Sequence, residues 1–230
     1  MPYQVPSGIN ADRGVAVIVR AASLDWTPSP QPGVDRRFLE RQGAEVAEAT
    51  SIVRYAPNSS FPGHVHHKGE EFLVLEGVFS DEQGDFAAGS YVRNPPASRH
   101  APFSRGGCVI FVKLRQMLDD ELGATVCLAG HQSAAITIVP GVSRTLLFAK
   151  PGAEEVGIEQ LAPGTQWRSR DQLGGEEILV LEGTLDYGSL PCPALTWLRI
   201  PAGLEASIST RAGCRYWVKR GHLGLVEKCG

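Results

Sequence analysis

Gly69-Glu70-Glu71-Phe72-Leu73-Val74-Leu75-Glu76-Gly77 recurs as Gly175-Glu176-Glu177-Ile178-Leu179-Val180-Leu181-Glu182-Gly183, an offset of 106 residues. The same offset, applied without a gap, lays Tyr55-Ala56-Pro57 over Leu161-Ala162-Pro163 and Arg93 and Pro95 over Arg199 and Pro201. Gly107-Cys108 then falls on Gly213-Cys214, and Val112-Lys113 on Val218-Lys219. One duplication accounts for all of these matches, and a repeat of this length is a whole structural unit.

Working outward from the repeated stretch, Glu71 to Phe79, Ser90 to Arg93, Arg99 to Phe103 and Cys108 to Arg115 are rich in valine, isoleucine, leucine and aromatics. Turn clusters such as Asp81-Glu82-Gln83-Gly84, Ala88-Gly89 and Asn94-Pro95-Pro96 separate them, the punctuation of an antiparallel all-β domain. Only Val34 to Gln42 and Arg115 to Leu122 read as helix-like, and both are short. The expectation is two tandem β-barrels or sandwiches of about 100 residues each. Their junction falls in the polar stretch 118 to 135, giving domains 1–125 and 126–230.

The 230 residues carry 22 basic and 25 acidic side chains, a formal charge of −3, with the arginines and lysines scattered among acids. Without a basic field, nucleic acid is not expected as a direct partner. No apolar stretch approaches the roughly 18 residues that cross a bilayer, and Met1 to Arg13 lacks an apolar signal core, so a cytoplasmic protein without a membrane partner is expected. Five cysteines, none in a Cys-x-x-Cys pair, read as reduced, mostly core side chains; a homodimer is left open.

Four of six histidines fall between 64 and 100. On a strand, residues two apart share a face, so His64 and His66 present neighbouring imidazoles and Glu70 has the same parity, whereas His67 points away. His100 follows the Asn94-Pro95-Pro96 turn and starts a later strand able to pair back beside the first. Three imidazoles and one carboxylate suit one divalent transition metal, zinc or iron(II) foremost, and not calcium.

In these residues the chain resembles the cupin superfamily. His64, His66, Glu70 and Gly77 match the first cupin motif; Gly89, Pro95, Ala97 and His100 match the second, with alanine in place of a usual glycine and Ser104 in place of a usual asparagine. More narrowly, Pro62 to Lys113 is similar to the cupin-like domain of ChrR-type zinc-binding anti-sigma factors, in Gly69-Glu70-Glu71, Phe79-Ser80-Asp81, Arg93-Asn94-Pro95-Pro96 and His100-Ala101-Pro102-Phe103-Ser104. The resemblance implies two jelly-roll (double-stranded β-helix) barrels, with a metal held in the first by His64, His66, Glu70 and His100. Those anti-sigma factors hold their sigma factor through a separate helical zinc domain with a His-x-x-x-Cys-x-x-Cys signature. No such signature occurs here, so direct sigma-factor binding is not expected.

In the second copy His64 maps onto Arg170, His66 onto Gln172 and His100 onto Ala206, while Glu70 maps onto Glu176, so no second metal is expected. Either Arg170 and Glu176 form a charge pair where the ion would be, or Glu176 is an exposed turn residue. Residues shared by both copies, Arg93/Arg199, Lys113/Lys219 and Cys108/Cys214, are expected to serve the fold. Trp167, Trp197 and Trp217 read as core rather than pocket lining, and His131 and His222 as isolated surface residues. Phe72 and Val74, with Phe103 nearby, are expected to wall an apolar pocket.

Two functions share that first shell. One is a regulatory module that binds or senses a small molecule or oxidant. The other is an iron(II)-dependent dioxygenase acting on a diketone or aryl ketone, as related single-domain cupins are.

Overall fold

The computed structural model describes residues 7–43, 46–118, 121, 123, 125–128, 134–168, 174–205 and 207–224. Among them the chain is β-stranded, with the 3-10 turn Ala21–Ser23 as its helical element. Two compact units form, one from Met1–Ala11 with Leu24–Gln132, the other from Asp12–Ser23 with Ser133–Gly230. Residues 12–23 thus group with the second repeat, where Val17–Arg20 pairs with Thr196–Ile200, a placement that a linear division at 125/126 does not describe.

In the first unit Gly8–Ile9, Val34–Gln42, Glu48–Tyr55, Cys108–Leu114, Glu70–Asp81, Tyr91–Asn94 and Val126–Leu128 lie side by side in that order. The second unit repeats the order with Ile136–Val139, Val142–Lys150, Glu154–Leu161, Cys214–Arg220, Glu176–Tyr187, Thr196–Ile200 and Val17–Arg20. In each, the long central strand runs on to pair with a short hairpin partner, Gly84–Ala87 or Leu190–Pro193. The duplicated apolar stretch is therefore the strand that both pairing systems share.

Register shows that the duplication is structural. Gly77 pairs with Cys108 and Glu71 with Lys113; 106 residues on, Gly183 pairs with Cys214 and Glu177 with Lys219. Both ladders slip by one residue at equivalent places, past Leu75 and past Leu181. Such a bulge deepens the twist that turns a strand from one sheet into another. Gly77 adopts φ 71°, and a Cβ there would lie 2.1 Å from the Gly107 carbonyl oxygen, so only glycine fits; Gly183 repeats this against Gly213 at 2.3 Å.

The two helix-like windows are not helices. Val34–Gln42 is a strand antiparallel to Glu48–Tyr55, and a bulge at Leu39, between the pairs Phe38↔Ser51 and Glu40↔Thr50, interrupts its period-2 alternation. Leu39, Glu40 and Arg41 are consequently buried in succession, which hides the strand signal. Beyond the strand end at Leu114, Arg115 takes φ 61°, and no helix occurs among the described residues up to 122.

Aromatic and branched side chains fill each unit: Tyr55, Phe72, Phe79, Phe86 and Ile110 in the first, Ile178, Leu198, Tyr216 and Val218 in the second. Trp197 and Trp217 are fully buried, and Trp167 packs against the second core. The residues common to both copies do serve the fold. Buried Arg93 donates to Glu71 at 2.7 Å and grips Glu121, Lys113 donates to Thr50 at 2.9 Å, and Lys219 pairs with Glu154 at 2.9 Å.

Candidate metal centre

His64 opens the two-residue strand His64–Val65, which pairs with Arg99–His100 so that His64 and His100 face each other across the ladder. Just beyond it, the His66 carbonyl accepts from Ala97 at 2.8 Å and its N–H donates to Ser98 at 2.9 Å. A turn through Gly69, whose N–H reaches the His66 carbonyl, then brings in Glu70 as the first residue of the long strand. Parity thus holds for His64 and His66, but Glu70 is delivered by that turn and not by a continuous strand. His67 lies exposed outside the cluster.

The four expected ligands come together, with one donor atom from each of His64, His66, Glu70 and His100 within 4.8 Å of the others. His64 Nε2 and His66 Nε2 are 3.2 Å apart, and Glu70 Oε2 lies 3.5 Å from His66 Nε2 and 3.4 Å from His100 Nε2. Donors about 2.0 to 2.1 Å from a shared ion, at near-tetrahedral angles, stand about 3.3 to 3.4 Å apart. The spacing fits one ion.

Proton placement supports the same fit. His64 Nδ1 sits 2.9 Å from the Pro62 carbonyl, which only accepts, so Nδ1 carries the proton and Nε2 the lone pair. Ser98 gives its hydroxyl proton to the Pro95 carbonyl at 2.6 Å and therefore accepts from His66 Nδ1 at 3.1 Å. His100 Nδ1 donates to Asp81 at 3.0 Å, leaving its buried Nε2 without a hydrogen-bond partner. In the neutral rings, then, three lone pairs and a carboxylate oxygen converge on one point. That arrangement is repulsive without a cation and is what a divalent ion requires.

Burial lowers the His66 pKa, only partly opposed by Glu70. For His100 burial acts downward too, but the Asp81 hydrogen bond and the Glu70 and Asp81 charges outweigh it and raise the pKa. Asn94 donates to the same Glu70 oxygen, Oε2, at 3.2 Å and helps to fix it. Asp81, Ser98 and Asn94 are site residues that spacing alone misses. The rule that a ligating imidazole gives its second N–H to an acceptor would have directed a search for them.

A cavity of about 280 Å³ opens onto all four ligands. Its apolar wall comprises Phe61, Phe79, Val53, Tyr55, Ile110 and Val112. Phe72, Val74 and Phe103 do not line it: Phe72 and Val74 belong to the packed core, and Phe103 carries the Arg105 guanidinium on its ring. The Glu70–Asp81 strand reaches the cavity only at Glu70 and Phe79, and the strands Glu48–Tyr55 and Cys108–Leu114 supply Val53, Tyr55, Ile110 and Val112.

In the second unit, Glu176 is buried, which rules out an exposed turn, and its Oε2 accepts from Arg220 Nε at 3.0 Å. Arg220 also reaches Glu159 at 2.8 and 3.0 Å, and Arg144 and Tyr216 donate to the same carboxylate. A guanidinium does meet the surviving glutamate, but it is that of Arg220, on the strand matching Cys108–Leu114. Positions 170, 172 and 206 lie outside the described residues, as does His131. His222 is not isolated: its Nε2 lies 3.1 Å from Glu177 with the side chain buried.

Residues 15–118 and 125–224 each match the family described as the ChrR cupin-like domain. None of the curated proteins matches the chain. Among solved structures it resembles a candidate dioxygenase from Nostoc punctiforme, at 14% identity and TM-score 0.72 over 93% of this chain and 85% of that one. It also resembles a bacterial pirin from Escherichia coli in complex with nickel(II), at 11% identity and TM-score 0.69 over 90% and 98%. A third similar structure is salicylate 1,2-dioxygenase from Pseudoaminobacter salicylatoxidans with gentisate, at 11% identity and TM-score 0.62 over 97% and 84%. At these identities the likeness shows the cupin fold.

Proposed function

The chain belongs to the ChrR cupin-like domain family, and from that premise we propose that its first unit is a metal-dependent small-molecule binding module with a regulatory, sensing role. One divalent transition metal, zinc or iron(II), is held by His64, His66, Glu70 and His100, and the second unit holds none. The observation that carries this reading is the convergence of three Nε2 lone pairs and Glu70 Oε2 at the foot of a cavity wide enough for a metabolite. When bound, the ion supplies a Lewis-acidic centre at the end of that cavity. A location in the reducing cytoplasm is part of the proposal, in keeping with the free cysteines Cys108, Cys127, Cys192 and Cys214. Among the described residues no helix is long and apolar enough to cross a membrane.

A second reading, an iron(II) dioxygenase for a diketone or aryl ketone, is favoured by the same opening: a purely structural ion needs no cavity beside it. Elemental analysis of protein purified without added metal, followed by oxygen uptake with a diketone panel, separates the two. The sensing reading expects one metal per chain and no substrate-dependent uptake. Uptake above a free-iron control, lost in zinc-loaded protein, establishes the oxygenase in its place.

A further inference from the structure

The cavity beside the metal cluster is lined by more cationic than anionic side chains. Arg36, Arg41 and Arg115 line it, against one lining carboxylate, Glu70, which already belongs to the ligand cluster. Arg36 is half-buried and has no carboxylate partner among the described residues; its guanidinium lies 5.9 Å from the centre of the Phe61 ring. Phe61 in turn packs edge-on against His64 at 5.5 Å, so Arg36 is held one ring away from the ligand cluster. Tyr55 lines the same cavity, and its ring packs against Phe79 while its hydroxyl makes no hydrogen bond among the described residues.

The second unit shows what that guanidinium binds. Arg36 pairs across the ladder with Val53, and the equivalent pair is Arg144 with Glu159. There the partner strand brings its own carboxylate, which Arg144 holds at 2.7 Å with Arg220 and Tyr216 completing the grip. At the matching positions the first unit has Val53, Leu114 and Ile110, all lining the cavity. It keeps the arginine and leaves out the internal acid.

We infer that the first-unit cavity binds a small organic monocarboxylic acid with an apolar body, its carboxylate on Arg36 and its hydrocarbon part against Phe61, Phe79 and Ile110. A guanidinium takes a carboxylate through two parallel N–H···O bonds, and the apolar walls supply the rest of the affinity. At about 280 Å³ the cavity sits at the small end of ligand pockets, which limits the acid to metabolite size. Tyr55, which lines the same cavity and whose phenol burial keeps protonated, offers a further donor. This deepens the proposed small-molecule role, yet the anchor is a property of the protein without its ion.

The test is calorimetric titration of benzoate, phenylacetate and 3-methylbutanoate, each beside its neutral amide, into zinc-loaded and chelator-stripped full-length protein. At least one acid is expected to saturate at one per chain in both forms, with its amide weaker by roughly tenfold or more. Arg36→Gln should weaken the acid by a similar factor and leave the amide unchanged, and Arg36→Lys should recover part of the loss. Near-ultraviolet circular dichroism checks that the variants fold, and the acid-to-amide comparison needs no variant. Equal binding of acid and amide, an Arg36→Gln protein that binds as well as the original, or no acid saturating by about 1 mM overturns the inference. Binding that requires zinc and ignores Arg36 also overturns it while leaving the metal reading intact. Acid binding to a protein that takes up no zinc does the reverse.

Discussion

Asp81 illustrates how a single side chain tunes the centre. Its buried carboxylate accepts from His100 Nδ1 at 3.0 Å with one oxygen and from the Gln83 N–H at 2.7 Å with the other, so it has no freedom to swing away. Asp81→Asn keeps the shape and an acceptor but removes the charge that orients and enriches the imidazole. Metal affinity should fall by about 10- to 100-fold with the fold retained, as read by competition with a chromophoric chelator. His64→Ala, by contrast, should lower bound metal to a small fraction, since it deletes a donor outright. The four clustered residues were legible because their spacing is local, three of them within seven positions. Asp81 was not, because it meets His100 only after the long strand has run past its bulge.

Strands show a similar divide. The strand Glu70–Asp81 was readable from its unbroken apolar run, and its duplicate from simple repetition. Val34–Gln42 shows no strand signal in the sequence because its bulge removes the alternation that a strand ordinarily displays. At the turn of the long strand, Gly77→Ala would combine a positive φ with a Cβ 2.1 Å from a backbone oxygen. A loss of about 2 kcal/mol or more is expected, measured by urea unfolding. Gly84→Ala, where nothing lies within 4 Å of the added carbon, should cost less, although its φ of 144° is also unusual.

At the scale of the whole molecule, the two units keep their topology and diverge in what occupies their interiors. Chelation should lower the melting of the first unit alone; an ion at a hundredfold its dissociation constant contributes about 2.7 kcal/mol. Scanning calorimetry checks this, with tryptophan fluorescence as a second readout, since Trp167, Trp197 and Trp217 report the second unit and Trp26 the first. That unit should instead respond to acid. Burial pushes the Glu159 carboxyl up, but Arg220 and Arg144, with the Tyr216 hydroxyl, overcome it and hold the pKa below its ordinary 4.5. A group depressed in the folded state stabilises fully above its unfolded value and stops doing so as pH falls through the folded one. Glu159→Gln removes the shared carboxylate but leaves Arg220 on Glu176 and Arg144 on Glu155, and should cost about 1 to 3 kcal/mol at neutral pH. The gap from the unaltered protein should stay constant down to about pH 4.5 and shrink below it, as thermal melts across pH would record.

Sequence by itself determined the duplication, the all-β class and the members of the His/Glu cluster, because each is written in spacing along the chain: an offset, a strand period, a His-x-His with its glutamate. Only the tertiary structure decided which groups answer one another across strands. Arg220 on Glu176 and on Glu159, and Val17–Arg20 beside Thr196–Ile200, join residues far apart in the chain. The physical reason is that a strand's side chains alternate by a local rule, whereas its partner and register are fixed by which apolar faces close over the common core. A buried charge then takes whatever counter-charge that closure brings within reach. In the first unit closure brought the Arg36 guanidinium no carboxylate, and left it facing an open cavity.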